Sequence, residues 1–331
     1  MATYYDIFGQ KVQYLASDPS PVAVGQVWYN STSNTAKVQG VTTSSSWSTG
    51  GNMNDAQGGN GGGDSQTSAV ALQGTLGAVT TVEEYDGSTW TNGPNSSNSY
   101  GSRSAGGASA SAGLIGGYSN SPFTTYTALE EWNGSSFSGG GSSNTSGYSS
   151  NTCYGVNLNA LGWVGRDGPN NTANEHYDGS CWTTVNPSPP GQRGGNLAGV
   201  LTSAIMASGF VPPNNTTVNS FDYDGTSWTA ITNLPSGSDS INSGSGATSS
   251  SAYMKYGGSR EPSLGRIATS DFWNGSAWSD ETSLPAPRSG SNGGVATSYT
   301  GALMFGGSPS GTTTFEFTAS GVPTTKTITT S

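Results

Sequence analysis

Apolar and polar positions along this chain recur in a fixed order: an apolar run ending at Gly, an aromatic, Asp-Gly or Asn-Gly, then a second aromatic. The later part reads Tyr85-Asp86-Gly87-Ser88-Thr89-Trp90, Trp132-Asn133-Gly134-Ser135-Ser136-Phe137 and Tyr177-Asp178-Gly179-Ser180-Cys181-Trp182. It returns as Tyr223-Asp224-Gly225-Thr226-Ser227-Trp228 and Trp273-Asn274-Gly275-Ser276-Ala277-Trp278, and a sixth copy, Phe317-Thr318-Ala319-Ser320-Gly321, lacks the second aromatic. The first aromatics stand at 85, 132, 177, 223, 273 and 317, so the steps are 47, 45, 46, 50 and 44. A period of that length marks a propeller or a solenoid.

Asp-Gly and Asn-Gly are the strongest short hairpin signals, because a turn that matches strand twist needs positive φ. Tyr85 and Trp90 are five apart, so across an even-length turn they point to one face, opposed or diagonal. Such aromatic pairs add roughly 0.2–1 kcal/mol each. That face is expected to pack against a neighbouring sheet, since a wet Trp wastes a large apolar area.

Upstream of each hairpin lies the apolar run. The six are Ala69–Leu72, Ala112–Ile115, Ala160–Val164, Ala204–Ala207, Ala252–Met254 and Ala302–Phe305, each followed by Gly or Gly-Gly, with Gly209 lacking its pair. Short continuous apolar runs suit strands buried on both faces. A third element, rich in Ser, Ala and Gly, precedes them, as in Ala108-Ser109-Ala110-Ser111. Each unit thus predicts a small-residue strand, an apolar strand, an aromatic strand, a tight turn, a Trp strand and a polar loop.

With Gly-Gly at a strand end, a later aromatic and then a Trp, the chain from about residue 60 resembles the kelch-like β-propellers. The resemblance implies an all-β, six-bladed propeller over residues 36–331, a seventh irregular blade being the alternative. The structural repeat residues are Tyr85, Trp90, Trp132, Phe137, Tyr177, Trp182, Tyr223, Trp228, Trp273 and Trp278. Trp47, in Ser45-Ser46-Trp47-Ser48, imitates a Trp strand and is expected to complete the last blade from residues 36–50, removing an open sheet edge.

The first 35 residues lack the repeat and are expected to be an N-terminal docking segment. Asp18-Pro19-Ser20-Pro21 breaks regular structure, and Gly25–Gln39 holds two strand-like runs around a polar turn. Asp-Pro-x-Pro followed by Gly25-Gln26-Val27-Trp28-Tyr29-Asn30-Ser31-Thr32-Ser33-Asn34-Thr35-Ala36-Lys37-Val38 is similar to a module of structural proteins of tailed phages, notably marine ones. The resemblance implies a virion component on the outer surface of the particle: a fibre, tail appendage or head decoration. Trp28 and Tyr29 are then the docking residues. Loops 91–103, 139–150 and 187–195 are the candidate contact surfaces for another protein or a host-surface glycan, their Ser, Asn, Gly and Tyr suiting adaptable polar contacts.

Composition narrows the classes further. The chain has 331 residues, 51 of them Gly, and only 9% are charged. A formal charge of −10 disfavours nucleic acid as a partner, because phosphate binding needs clustered Lys and Arg. No run of 18 apolar residues predicts membrane insertion, and the start shows no recognisable signal peptide. Without an export signal, Cys153 and Cys181 read as free buried thiols more readily than as a disulfide. A homo-oligomer is compatible with this sequence, which carries no heptads to specify one.

The chemistry is sparse. The single histidine, His176, cannot build a copper site or serve a triad without partners, and reads as a solvent-facing strand residue. The arginines Arg103, Arg166, Arg193, Arg260, Arg266 and Arg288 are scattered. Glu83-Glu84 and Glu130-Glu131 stand at equivalent places, and Glu175, Asp222, Asp271 and Glu316 fall nearby in other units. Glycosidases need two carboxylates on one side, and adjacent strand residues point to opposite faces, so a brace repeated in every blade is expected instead. Gly58–Gly63 lacks the Lys-Ser/Thr of a phosphate loop and reads as a flexible linker. The expectation is a non-enzymatic protein with no cofactor and no metal. A glycan-degrading enzyme on a propeller scaffold and a carbohydrate-binding propeller of cellular origin are the alternatives.

Overall fold

Each complete Asp/Asn-Gly phrase closes a hairpin in the computed structural model, which describes residues 12–42, 44–56, 61–72, 81–97, 105–109, 112–118, 125–145, 152–154, 161–164, 172–189, 196–211, 215–235, 250–260, 265–289, 299–309 and 311–328. The aromatics are directly opposed: Tyr85 with Trp90, Trp132 with Phe137, Tyr177 with Trp182, Tyr223 with Trp228 and Trp273 with Trp278. Gly87, Gly134, Gly179, Gly225 and Gly275 all have φ between 91° and 97°. Positive φ at the first central position is the requirement of a type II′ turn, which Gly meets without a Cβ clash. The acceptor side chain closes the turn from outside, since Asp86 Oδ1 takes the amides of Ser88 and Thr89, each at 2.8 Å.

The chain forms two compact units: Met1–Ser46 with Thr318–Ser331, and Trp47–Phe317. In the larger unit six sheets follow one another among the described residues. The first joins Gly61–Ser65, Ser68–Leu72, Val82–Tyr85 and Trp90–Gly93. The second joins Ala105–Ser109, Ala112–Tyr118, Thr125–Trp132 and Phe137–Ser142, and the third Thr152–Tyr154, Leu161–Val164, Asn174–Tyr177 and Trp182–Thr184. The fourth joins Asn196–Val200, Ser203–Ala207, Ser220–Tyr223 and Trp228–Ile231. The fifth shows Tyr253–Tyr256, Ser270–Trp273 and Trp278–Glu281; the sixth shows Leu303–Phe305, Thr314–Thr318 and, outermost, Ser46–Thr49. All these neighbours are antiparallel where the register is defined.

Tight turns close one end of each sheet, and the long connections lie at the other. The first strands of consecutive sheets approach closely: Gly61–Ser65 and Ala105–Ser109, Ala105–Ser109 and Thr152–Tyr154, Thr152–Tyr154 and Asn196–Val200. Gly61-Gly62-Gly63 is therefore part of a paired strand, not a linker, because a crowded backbone position selects residues without side chains. Ser208 (φ 67°) and Gly209 (φ 121°) take the left-handed geometry that Gly257-Gly258 and Gly306-Gly307 take elsewhere, so Ser208 replaces the absent first Gly.

The core lies between sheets. Ala69, Ala71, Tyr85 and Trp90 of the first sheet pack with Leu303 and Phe305 of the sixth. Val70, Leu72 and Val82 on its other face pack with Trp132 of the second. Ile205 and Ala207 of the fourth meet Tyr253 and Trp273 of the fifth. Trp47 packs on Tyr256 and Phe317 with centroids 5.2 and 5.1 Å away. Its indole N–H donates to Thr282 O at 2.8 Å, the counterpart of Trp278 donating to Thr232 O at 2.9 Å.

The smaller unit is one sheet in the order Gln13–Leu15, Val27–Asn30, Thr35–Val41, Pro323–Ile328. Val27 pairs with Val38 in an antiparallel hairpin turned at Asn34 (φ 52°), while Gln13–Leu15 runs parallel to Val27–Asn30. Val41 pairs with Pro323, so the two ends of the chain share this sheet.

Candidate functional site

The recurring carboxylates fall into two positions. Two residues before the first aromatic stand Glu83, Glu130, Glu175 and Asp271, all buried. Their side chains face the segment that leaves the outer strand of the preceding sheet. Glu83 accepts the amides of Asn54 (2.7 Å) and Asp55 (2.9 Å), Glu130 that of Ser97 (3.2 Å) and Glu175 that of Asn144 (2.9 Å). Asn54 and Asn144 complete the latch by donating to Trp90 O and Trp182 O, each at 3.0 Å. A buried carboxylate needs such donors, since desolvation without them is expensive. In the fifth sheet the cross-strand neighbour of Asp271 is Lys255, fully buried, where the other sheets place Ala71, Ile115, Trp163, Met206 and Met304.

One residue before the aromatic the side chain faces the next sheet. Glu316 accepts the Tyr85 hydroxyl at 2.6 Å, Glu131 accepts that of Tyr177, and His176 Nε2 lies 3.2 Å from that of Tyr223. His176 is thus half-buried at a seam and not solvent-facing, because its strand neighbours the fourth sheet on that side. Burial and then the glutamate acceptor hold the Tyr85 and Tyr177 phenols well above their ordinary range. Burial alone lowers the His176 imidazole and raises the Glu84 carboxyl. The acids at both positions are therefore braces between sheets, and Glu83 and Glu84 face opposite sides as strand geometry requires.

Tyr85, Trp90, Trp132, Tyr177, Trp182, Tyr223 and Trp273 are buried, while Trp47, Phe137, Trp228 and Trp278 are half-buried. In the expected contact loops, residues 98–103, 146–150 and 190–195 lie outside the described residues. The described parts are spent inward: Ser97 and Asn144 on the glutamates above, and Ser188 on Thr172 O at 2.8 Å. Cys181 is a free thiol but exposed, because it sits on a turn; Cys153's side chain lies outside the described residues.

The smaller unit has its own polar centre. Asp18 Oδ1 accepts from Trp28 Nε1 (3.0 Å) and Asn30 Nδ2 (2.7 Å), and Oδ2 accepts from Lys37 Nζ (2.6 Å). These bonds, Lys37's first, hold the Asp18 carboxyl down to about 2. Trp28 is therefore a core residue at 0% exposure and offers no docking surface; its indole must meet an acceptor inside. Tyr29 is half-exposed and stacks on Tyr14 at 5.2 Å. Among the described residues the exposed large apolar side chains are Val12, Tyr14, Val24, Val41 and Ile328, and all five belong to this unit. Sequence reading missed Tyr14, whose parallel strand is three residues long and carries no pattern.

Scattered arginines also come together. Arg266 and Arg288 meet where the fifth and sixth sheets adjoin. Arg103, Arg166 and Arg193, and the side chain of Arg260, lie outside the described residues. Three or more potential metal-ligating side chains do not cluster anywhere among the described residues.

No protein-family model matches the chain, and no curated protein matches it. Solved structures do match. One, described as the structure of YjhT, superposes with a TM-score of 0.62 at 12% identity, covering 83% of this chain and 99% of the other. At that identity the likeness speaks for the all-β fold alone.

Proposed function

We propose that the larger unit is a six-bladed, kelch-like β-propeller and that the protein is a non-enzymatic structural or adhesive component on the outside of a tailed-phage particle. The smaller unit attaches it to other virion proteins, and the long connections of the propeller face a protein or a host glycan. The propeller reading is supported by the 44–50-residue cadence, the crowded first strands and the core shared by the first and sixth sheets.

The observation that carries the attachment role is that every exposed large apolar side chain among the described residues lies in the smaller unit. Exposed apolar groups gathered in one place mark interaction surfaces. The phage assignment rests on the resemblance of the Asp18–Val38 segment. Against a glycosidase stands the use of Glu83, Glu130, Glu131, Glu175 and Glu316 as inter-sheet acceptors.

Mass spectrometry of purified particles tests the proposal: the chain is expected in stoichiometric amount, and its absence defeats the virion role. Glycan release by the purified chain, abolished by Glu83→Gln or Glu130→Gln, would replace it with the enzymatic reading.

A further inference from the structure

The segment leaving each outer strand meets a carboxylate of the next sheet at Glu83, Glu130 and Glu175. In the sixth sheet the same position, two before Phe317, is Phe315. Here the arriving segment brings Arg288, whose guanidinium carbon lies 5.8 Å from the centroid of the Phe315 ring. An anionic position has become an aromatic floor under a cation, an arrangement that favours guanidinium.

The surroundings fix that cation firmly. Arg288 is 5% exposed, and its Nη2 donates to Thr313 Oγ1 at 2.9 Å. Its backbone is bonded on both sides: Arg288 N to Ile267 O at 3.1 Å and Gly258 N to Arg288 O at 2.8 Å. Arg266, beside Ile267, is exposed and donates through Nη2 to Ser308 Oγ at 2.6 Å. Ser308 is in turn bonded to Ser289, the neighbour of Arg288, at 2.9 Å. Two guanidiniums are thus brought together by a short chain of hydroxyls and backbone. Burial, and then the charge of Arg266, both disfavour the Arg288 cation.

We propose that Arg266 and Arg288 form an oxyanion-binding site, taking a carboxylate or sulfate group. Arg266 presents its guanidinium edge to the ligand, and the recessed Arg288 adds charge from behind. An oxyanion there accepts charge-assisted hydrogen bonds and relieves the repulsion between the two cations. In a chain of formal charge −10 this is a local reversal of sign. The contact role proposed above bears only on whether the oxyanion arrives on a saccharide. The site itself stands on this geometry.

Isothermal titration of the full chain at low ionic strength, with inorganic sulfate and separately with heparin, tests the site. Saturable binding of sulfate is expected, weakened roughly tenfold by Arg266→Gln, the loss of hydrogen bonds to a charged group. Arg266→Glu abolishes it. Sulfate is expected to raise the melting temperature of the native chain and not that of Arg266→Gln. Heparin binding tighter than sulfate and lost in Arg266→Gln identifies a saccharide-borne oxyanion, whereas equal affinities identify a site for the free ion. No heat and no melting shift with native protein, or equal binding by Arg266→Gln, overturns the proposal. So does an equal loss in Lys326→Gln, an exposed cation of the smaller unit, which would mean unspecific charge attraction. Particle mass spectrometry is independent of all these outcomes.

Discussion

The Tyr85 hydroxyl donates to Glu316 Oε1 at 2.6 Å, bonding the first sheet to the sixth across 231 residues of chain. The same exchange recurs wherever the next sheet presents a tyrosine: Glu131 serves Tyr177 and His176 faces Tyr223. Where the next sheet presents Phe317, the corresponding residue is Phe272, which stacks on Tyr299 with centroids 4.1 Å apart. Acceptor and donor are matched seam by seam, since a buried phenol left without an acceptor is destabilising.

Tyr85→Phe removes this donor and leaves Glu316 with one partner fewer. A loss of about 1–3 kcal/mol is expected in urea unfolding. Combined with Glu316→Gln, the two changes should not add, because they break one bond. Strict additivity would show that the seam is held by packing alone.

Acid should weaken the seam between the third and fourth sheets. Burial lowers the His176 imidazole below its usual 6.5, so the folded chain keeps it neutral where the unfolded chain protonates it. The stability this contributes is whole above pH 6.5 and falls with pH until the folded imidazole also takes a proton. His176→Gln is expected to flatten the dependence of the urea midpoint between pH 7.5 and 5. An unchanged slope would assign it to other groups.

The smaller unit should fail at lower pH. Asp18, usually near 3.8, is held at about 2 by Lys37, Asn30 and Trp28. Its contribution is complete above 3.8 and is lost as pH falls through about 2. The Trp28 indole N–H resonance is expected to lose its exchange protection over that interval, and at neutral pH in Asp18→Ala. Full protection in that variant would show that Asp18 is not the acceptor on which the indole depends.

Trp47→Ala deletes the packing on Tyr256 and Phe317 and the bond to Thr282 O. A loss of up to about 3 kcal/mol is expected, below that of a fully buried Trp because Trp47 is half-exposed. Trp47→Phe should recover part of it. If Trp47→Ala unfolds at the native urea concentration, Ser46–Thr49 is an unneeded edge.

The hairpins were legible because everything they require lies within six residues: a Gly at positive φ, an Asx acceptor and two aromatics five apart. The recurring acids were legible as braces from strand alternation alone. Gly61-Gly62-Gly63 was not legible as a strand, because glycines carry no pattern and only the close neighbouring strands explain them. Trp28 was misjudged because its acceptor, Asp18, is ten residues away beyond a Pro-rich break. The meeting of Arg266 with Arg288 needed two long connections to fold together.

By itself the sequence determined the cadence, the turns and the face on which each aromatic stands, since these follow from local backbone geometry. The tertiary structure alone decided which acceptor each buried donor finds, and which strand supplies the outer edge of the sixth sheet. Those partners stand 46, 47 or 231 residues apart, and only the packing of one sheet on the next brings them within bonding distance.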